Sequence, residues 1–296
     1  MTATKKVFLV TGGNSGLGYQ ASLDLAKMEN THVIVTGRSA ERVQAAADKI
    51  KAEAASSSVV EGEVLDLGSL KAIQEYVTKL KARGLTIDAL LCNGGLHGTK
   101  KSLTADGFET TFGVNHLGHF HLVLLLRDVT RRIVIISSET HDPEEKTPVK
   151  IPNVSDLEQL AHGYEKYDAD EAYSTSKLCN LLFMKEFVRR FPNGPEFIAY
   201  TPGFTPDTAL MRHSNMDLSV ILKICAEKNI PVSTTVVSGG VMARLCAEDW
   251  AANGWATDMY IRVKMPYEPS VQAKDPALAR ALWAKSEELV ARVIQA

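Results

Sequence analysis

Cysteine is scarce in this chain, and the four residues present, Cys92, Cys179, Cys225 and Cys246, are scattered without metal-ligand spacing. That excludes a disulfide framework and a cysteine-based metal site, and it predicts reduced, buried thiols in a cytoplasmic protein. A surplus of one charge is lacking too. With a formal net charge of −2, no field draws the chain to nucleic acid or to an anionic membrane surface. Long hydrophobic runs are missing: Leu122–Leu126 is far too short to span a bilayer, and Met1–Lys6 passes straight into an apolar strand. That start leaves no room for a signal peptide or membrane anchor. There is no internal repeat and no interdomain linker, so a single α/β domain over 1–296 is expected. What is there is ordinary for a globular protein, 45% hydrophobic and 23% charged, and long enough to bury a core.

The first strand, Lys6 to Val10, runs into Thr11-Gly12-Gly13-Asn14-Ser15-Gly16-Leu17-Gly18 and then a helix to about Met28. Strand, glycine-rich turn and helix make a phosphate-binding element, because small residues admit a pyrophosphate and the helix N-terminus faces its charge. Gly12, Asn14, Ser15, Gly16, Leu17 and Gly18 are therefore candidate cofactor contacts. The second strand, His32 to Thr36, ends in Gly37-Arg38 where a dinucleotide site selective for NAD places an acid. An arginine there suits a 2′-phosphate, so NADPH is expected over NADH; the alternative is a solvated loop charge. Val59 to Leu65 is the third strand, with Asp66 and Leu67 closing it where an adenine would lie. After the fourth, Ile87 to Cys92, the small residues of Asn93-Gly94-Gly95 let the chain pass close under the cofactor. Alternating strands and helices imply a parallel sheet covered on both faces.

His116, His119 and His121 invite a metal reading, but no cysteine or carboxylate with ligand spacing shares their helical face, so packed or capping histidines are expected and no metal. Asn115, a buried amide within a helix, needs partners. The strand Ile133 to Ile136 delivers Ser138 at its carboxyl end, where open α/β sheets bind ligands. Residues 139–171 are an excursion forming one wall of a substrate cleft, and 204–232 a lid whose apolar stretch Leu218–Leu222 faces a hydrophobic small molecule, the core or a partner subunit.

Between them stands Tyr173-Ser-Thr-Ser-Lys177 at the start of a helix. One turn apart on one face, the ammonium can sit beside the phenol. A tyrosine titrates near pH 10, so proton transfer at neutral pH needs a depression of roughly 2 to 3 units, of the sign a lysine supplies. Tyr260 and Lys264 share the spacing, but the strand Asp258 to Val263 would hold them roughly 13 Å apart.

With Thr11–Gly18, Asn93–Gly95, Asn115, Ser138, Tyr173/Lys177 and Pro202-Gly203 in this order, the chain resembles the short-chain dehydrogenase/reductase family over its whole length. It looks most like the retinol-dehydrogenase and light-dependent protochlorophyllide-reductase branches. The resemblance implies a Rossmann-type doubly wound parallel sheet of about seven strands and a monomer or a homodimer. It implies NADPH held also by Pro202, Gly203 and Thr205. Tyr173 would be the acid/base, Lys177 would lower its pKa and hold the nicotinamide ribose, and Ser138 would orient the substrate oxygen. Asn115 would hold a water that links Lys177 to solvent. The expected reaction interconverts a ketone or aldehyde with an alcohol. Reduction of a conjugated C=C bond is the alternative, although Phe204 stands where the pigment-reducing branch carries cysteine. A dinucleotide sensor without catalysis is the alternative of another class.

Overall fold

The computed structural model describes residues 5–208 and 218–295. β1 (Lys6–Val10) leads into α1 (Gly16–Ala26), β2 (Thr31–Gly37) into α2 (Ala40–Glu53), and β3 (Val59–Val64) into α3 (Leu70–Lys81). β4 (Ala89–Cys92) runs through a long loop to α4 (Thr110–Phe112), a π-helical turn (Gly113–Leu117) and α5 (Gly118–Leu126). Next come β5 (Arg132–Ile136), α6 (Leu157–His162), α7 (Ala169–Arg190), β6 (Glu196–Thr201), α8 (Leu218–Glu227) and α9 (Thr235–Ala247). β7 (Tyr260–Arg262), β8 (Met265–Tyr267) and α10 (Pro276–Ile294) complete the order.

The strands form one sheet in the order β3-β2-β1-β4-β5-β6-β7-β8, parallel except for β8. Their apolar runs are continuous because both faces are covered. Along β1, Val7 and Leu9 enter one core layer and Phe8 and Val10 the other; β5 divides Ile133 and Ile135 from Val134 and Ile136 in the same way. On the first face α10 lies along α7, with Trp283 against Phe120 and Phe183. The strand order reverses between β1 and β4, which opens a crevice at their carboxyl ends.

The doubly wound parallel sheet is as expected, and it has eight strands, because the chain turns at Val263 (φ 54°) and pairs Met265–Tyr267 antiparallel to β7. Pro266 inside that edge strand hides it from pattern reading. Lys264 thus sits past a turn, so its separation from the buried Tyr260 owes nothing to a continuous strand. α7 begins at Ala169, within the segment assigned to the excursion, because Asp168 caps it by accepting from Glu171 N at 3.0 Å, and Asp170 and Glu171 favour its positive end. The lid residues Leu210 and Met211 lie outside the described residues; its base is closed where Phe204 bridges Val232.

The histidines go separate ways. His116 Nε2 donates to Ser286 Oγ on α10 at 3.0 Å, while His119 turns to the crevice. Among the described residues no group of three or more His, Cys, Asp or Glu is placed to hold a metal ion. Burial pushes His116 down to about 3 and His119 and His121 down to about 4. The unfolded chain therefore binds protons that the native chain refuses, and stability falls as pH drops below about 6.5. At pH 5 the loss is about 2 kcal/mol per histidine. Urea midpoints at pH 7 and pH 5 measure it: the wild type is expected to lose more than a His121→Gln variant, and equal losses would contradict the assignment.

Candidate active site

The crevice is built by two loops that touch. Gly12 follows β1 with φ 62°, and a Cβ there would meet Gly94 Cα at 2.8 Å. Asn93 Nδ2 ties the loops together by donating to Thr11 O at 2.9 Å, and Gly94 N donates to Thr11 Oγ1 at 2.9 Å. His119 Nδ1 donates to Asn115 O at 3.1 Å, so its neutral ring accepts from Thr11 Oγ1 at Nε2, 2.9 Å away. Ser15, at the start of α1, makes no side-chain cap, and the first-turn N–H groups of Gly16, Leu17 and Gly18 stay open to an anion. Asn14 Oδ1 lies against Gly37, and Arg38 is exposed at the end of β2. Asp66 Oδ1 accepts from Gly68 N at 2.9 Å, whereas Leu67 is buried beneath Gly94. Pro202 O accepts from Ser238 Oγ at 2.7 Å, Gly203 has φ 74°, and Thr205 Oγ1 donates to Gly203 O. A dinucleotide fits this cradle: the loops are bare where its pyrophosphate would pass, and the helix behind them is uncapped.

The four residues expected to react meet at the crevice. β5 delivers Ser138 beside the Tyr173 hydroxyl, near enough to pull the phenol's pKa down. Lys177 Nζ stands over the Tyr173 ring, 5.3 Å from its centre, and donates to Ile136 O at 3.3 Å. Asn115 sits in the π-helical turn, where one extra residue per turn breaks the helical register. Its amide accepts from Leu96 N and donates to Leu96 O, both at 2.9 Å, and donates to Ser176 Oγ at 3.0 Å. Ser176 in turn donates to Tyr173 O at 2.7 Å, so Asn115 joins the β4 loop to α7.

This constellation has known counterparts. A family model described as short chain dehydrogenase matches residues 6–146. A WW domain-containing oxidoreductase from Danio rerio is 37% identical over 291 residues, covering 96% of this chain and 68% of that protein. The chain belongs to the short-chain dehydrogenase/reductase family. Other relatives are human retinol dehydrogenase 13, 33% identical over 98% of this chain and 86% of its own, and protochlorophyllide reductase A of Oryza sativa subsp. japonica. The latter is 31% identical over 99% of this chain and 82% of its own. A solved structure of an uncharacterized protein from Mycobacterium paratuberculosis has a TM-score of 0.73 at 29% identity, covering 97% and 94% of the two chains. Family membership makes the protein an oxidoreductase whose cofactor is a nicotinamide dinucleotide.

In this short-chain dehydrogenase, burial opposes charge on both Tyr173 and Lys177. It pushes the Tyr173 phenol up, with the neighbouring Ser138 hydroxyl pulling it down and the Glu139 carboxylate adding to the rise. It pushes the Lys177 ammonium down to about 8. The phenol depression expected from Lys177 is thus absent from the chain by itself, since the ammonium faces the ring rather than a phenolate. Motif reading also passed over His97, Asp170 and Ser176 beside Tyr173; a histidine two places past Asn93-Gly94-Gly95 was the available signal.

Between about pH 8 and the ordinary 10.5 the unfolded chain keeps a lysine proton that native Lys177 has lost, so this group's contribution to stability rises with pH. Against Lys177→Met, the wild type is expected to regain about 3 kcal/mol from pH 7 to 10.5. The buried cysteines, which lose stability over that range, cancel in the difference. Paired urea titrations read it, and a constant gap would place the ammonium in water.

Proposed function

We propose that the protein is an NADPH-dependent oxidoreductase that interconverts a ketone or aldehyde with an alcohol on a hydrophobic substrate. The observation that carries this reading is the meeting of Ser138 and Tyr173 beside the buried Lys177, whose ammonium lies 5.3 Å from the Tyr173 ring centre, at the mouth of the glycine cradle. The cofactor contacts proposed are Gly12, Asn14, Ser15, Gly16, Leu17, Gly18, Arg38, Asp66, Leu67, Asn93, Gly94 and Gly95, with Tyr173, Lys177, Pro202, Gly203 and Thr205. When bound, NADPH supplies the hydride and, once oxidised, a positive ring charge. Ser138 holds the substrate oxygen and Tyr173 gives it a proton. Lys177 holds the ribose and offsets negative charge that develops on the phenol. Asn115, clamped between Leu96 and Ser176, keeps the loop and α7 in register while this happens.

Relatives named for retinol and protochlorophyllide support an apolar substrate, as do the exposed Leu218, Val220 and Leu222 of α8. The same helix turns Ile221 and Cys225 inward on Ile230 and Phe204, so its apolar side is divided between packing and the outside. The protochlorophyllide relative also favours C=C reduction as a second reading, against which Phe204 counts. Four free, buried cysteines support a reducing compartment such as the cytoplasm, and α10 lying along α7 favours a monomer over pairing through that face.

NADPH absorbance is expected to fall when the protein meets a panel of hydrophobic ketones. Tyr173→Phe is expected to lower kcat by at least about 100-fold with NADPH affinity nearly intact; appreciable turnover would remove Tyr173 from the role. Arg38→Asp is expected to shift the NADPH over NADH preference by roughly tenfold or more, the size of one charge-assisted contact. An unchanged preference would overturn the 2′-phosphate assignment.

A further inference from the structure

A fifth side chain touches the reacting group. His97 follows Leu96, whose backbone N–H and C=O are both held by the Asn115 amide, so its starting point is fixed on two sides. From there the imidazole reaches α7 and meets two residues. Its Nε2 lies 2.9 Å from Asp170 Oδ1, and its ring stacks on Tyr173 with centroids 4.6 Å apart and planes 26° from parallel. Asp170 and Tyr173 are three residues apart on one helix and share a face, so a single imidazole spans both.

We propose that His97 is a positioning residue for the reaction: tied to Asp170, its ring clamps the Tyr173 phenol so that the hydroxyl stays turned toward Ser138. Tyr173 is not fully buried, so the rotation of its ring depends on the neighbours that hold it. A reacting group displaced by about 1 Å loses about 100-fold in rate, so a flat partner against the ring is worth having. The offset, near-parallel contact is the geometry aromatic rings prefer, and Asp170 keeps the partner from swinging into the cleft. The flat ring does the clamping and the ring nitrogen reaches Asp170; a short side chain such as alanine could do neither.

This inference rests on Tyr173 being the acid, so the test has an arm that needs no turnover. In cofactor-free protein carrying 13Cζ-tyrosine, the Tyr173 signal is identified by its loss in Tyr173→Phe. It is expected to move in His97→Ala and to stay near its wild-type position in His97→Phe, which keeps a flat ring. In ketone reduction, His97→Ala is expected to lower kcat by about tenfold or more with the KM for NADPH within twofold. The isotope effect from 4-deuterated NADPH is expected to rise in that variant, and His97→Phe is expected to recover kcat to within about threefold. Asp170→Ala, which frees the ring without removing it, is expected to fall between. An unmoved resonance in His97→Ala, an unchanged kcat, or a His97→Phe as impaired as His97→Ala would each overturn the clamp. A wild type that turns over no ketone would instead overturn the reaction proposed above and leave the resonance arm standing.

Discussion

Two stretches of backbone pass within contact distance at the sheet's switch point because neither carries a side chain there. Gly12 and Gly94 make that approach, and the candidate site is arranged around it. Thr11 receives the Gly94 N–H and gives its own proton to His119, whose other nitrogen holds the carbonyl of Asn115. Asn115 then fixes Leu96 and reaches Ser176, and Ser176 holds the carbonyl of Tyr173. A chain of buried, fully engaged polar side chains thus runs from the glycine-rich loop to the backbone of Tyr173, and such a network is stiff because each broken link leaves a buried group unpaired.

The electrostatics of the site follow from its burial. In the chain alone the phenol is kept neutral, its pKa pushed up, while the Lys177 amine, pushed down to about 8, still carries most of its charge at neutral pH. A further positive charge near the phenol would favour its ionised form, so the burial that opposes charge also makes the phenol responsive to its occupant. Glu139, next to Ser138 and itself pushed up by burial, adds a carboxyl whose charge would work against a phenolate. Thr201 and Arg262 are its counterweights, with Thr201 donating at 2.7 Å.

Much of this was legible because its signals are local. Strands buried on both faces read as apolar runs, and β1 falls where sequence placed it. Ser138, Tyr173, Lys177 and Asn115 were found by spacing and by their place at strand ends, which topology then brought together. What escaped depends on contacts between distant segments. The π-helical turn at Asn115 has no sequence period, β8 carries a proline, and His97 gains its meaning only when β4 and α7 come together. The early start of α7 was readable from Asp168 as a cap, but acids in the preceding excursion masked it.

The account turns on where the Tyr173 hydroxyl lies relative to the reactive face of a bound nicotinamide. A crystal structure of the protein with NADP⁺ measures that directly. The account predicts the nicotinamide seated over Gly94, with the Tyr173 and Ser138 hydroxyls converging on one oxygen-sized position about 3 to 3.5 Å from its carbon 4. A Tyr173 hydroxyl turned away from that ring, or a dinucleotide bound elsewhere, would contradict it.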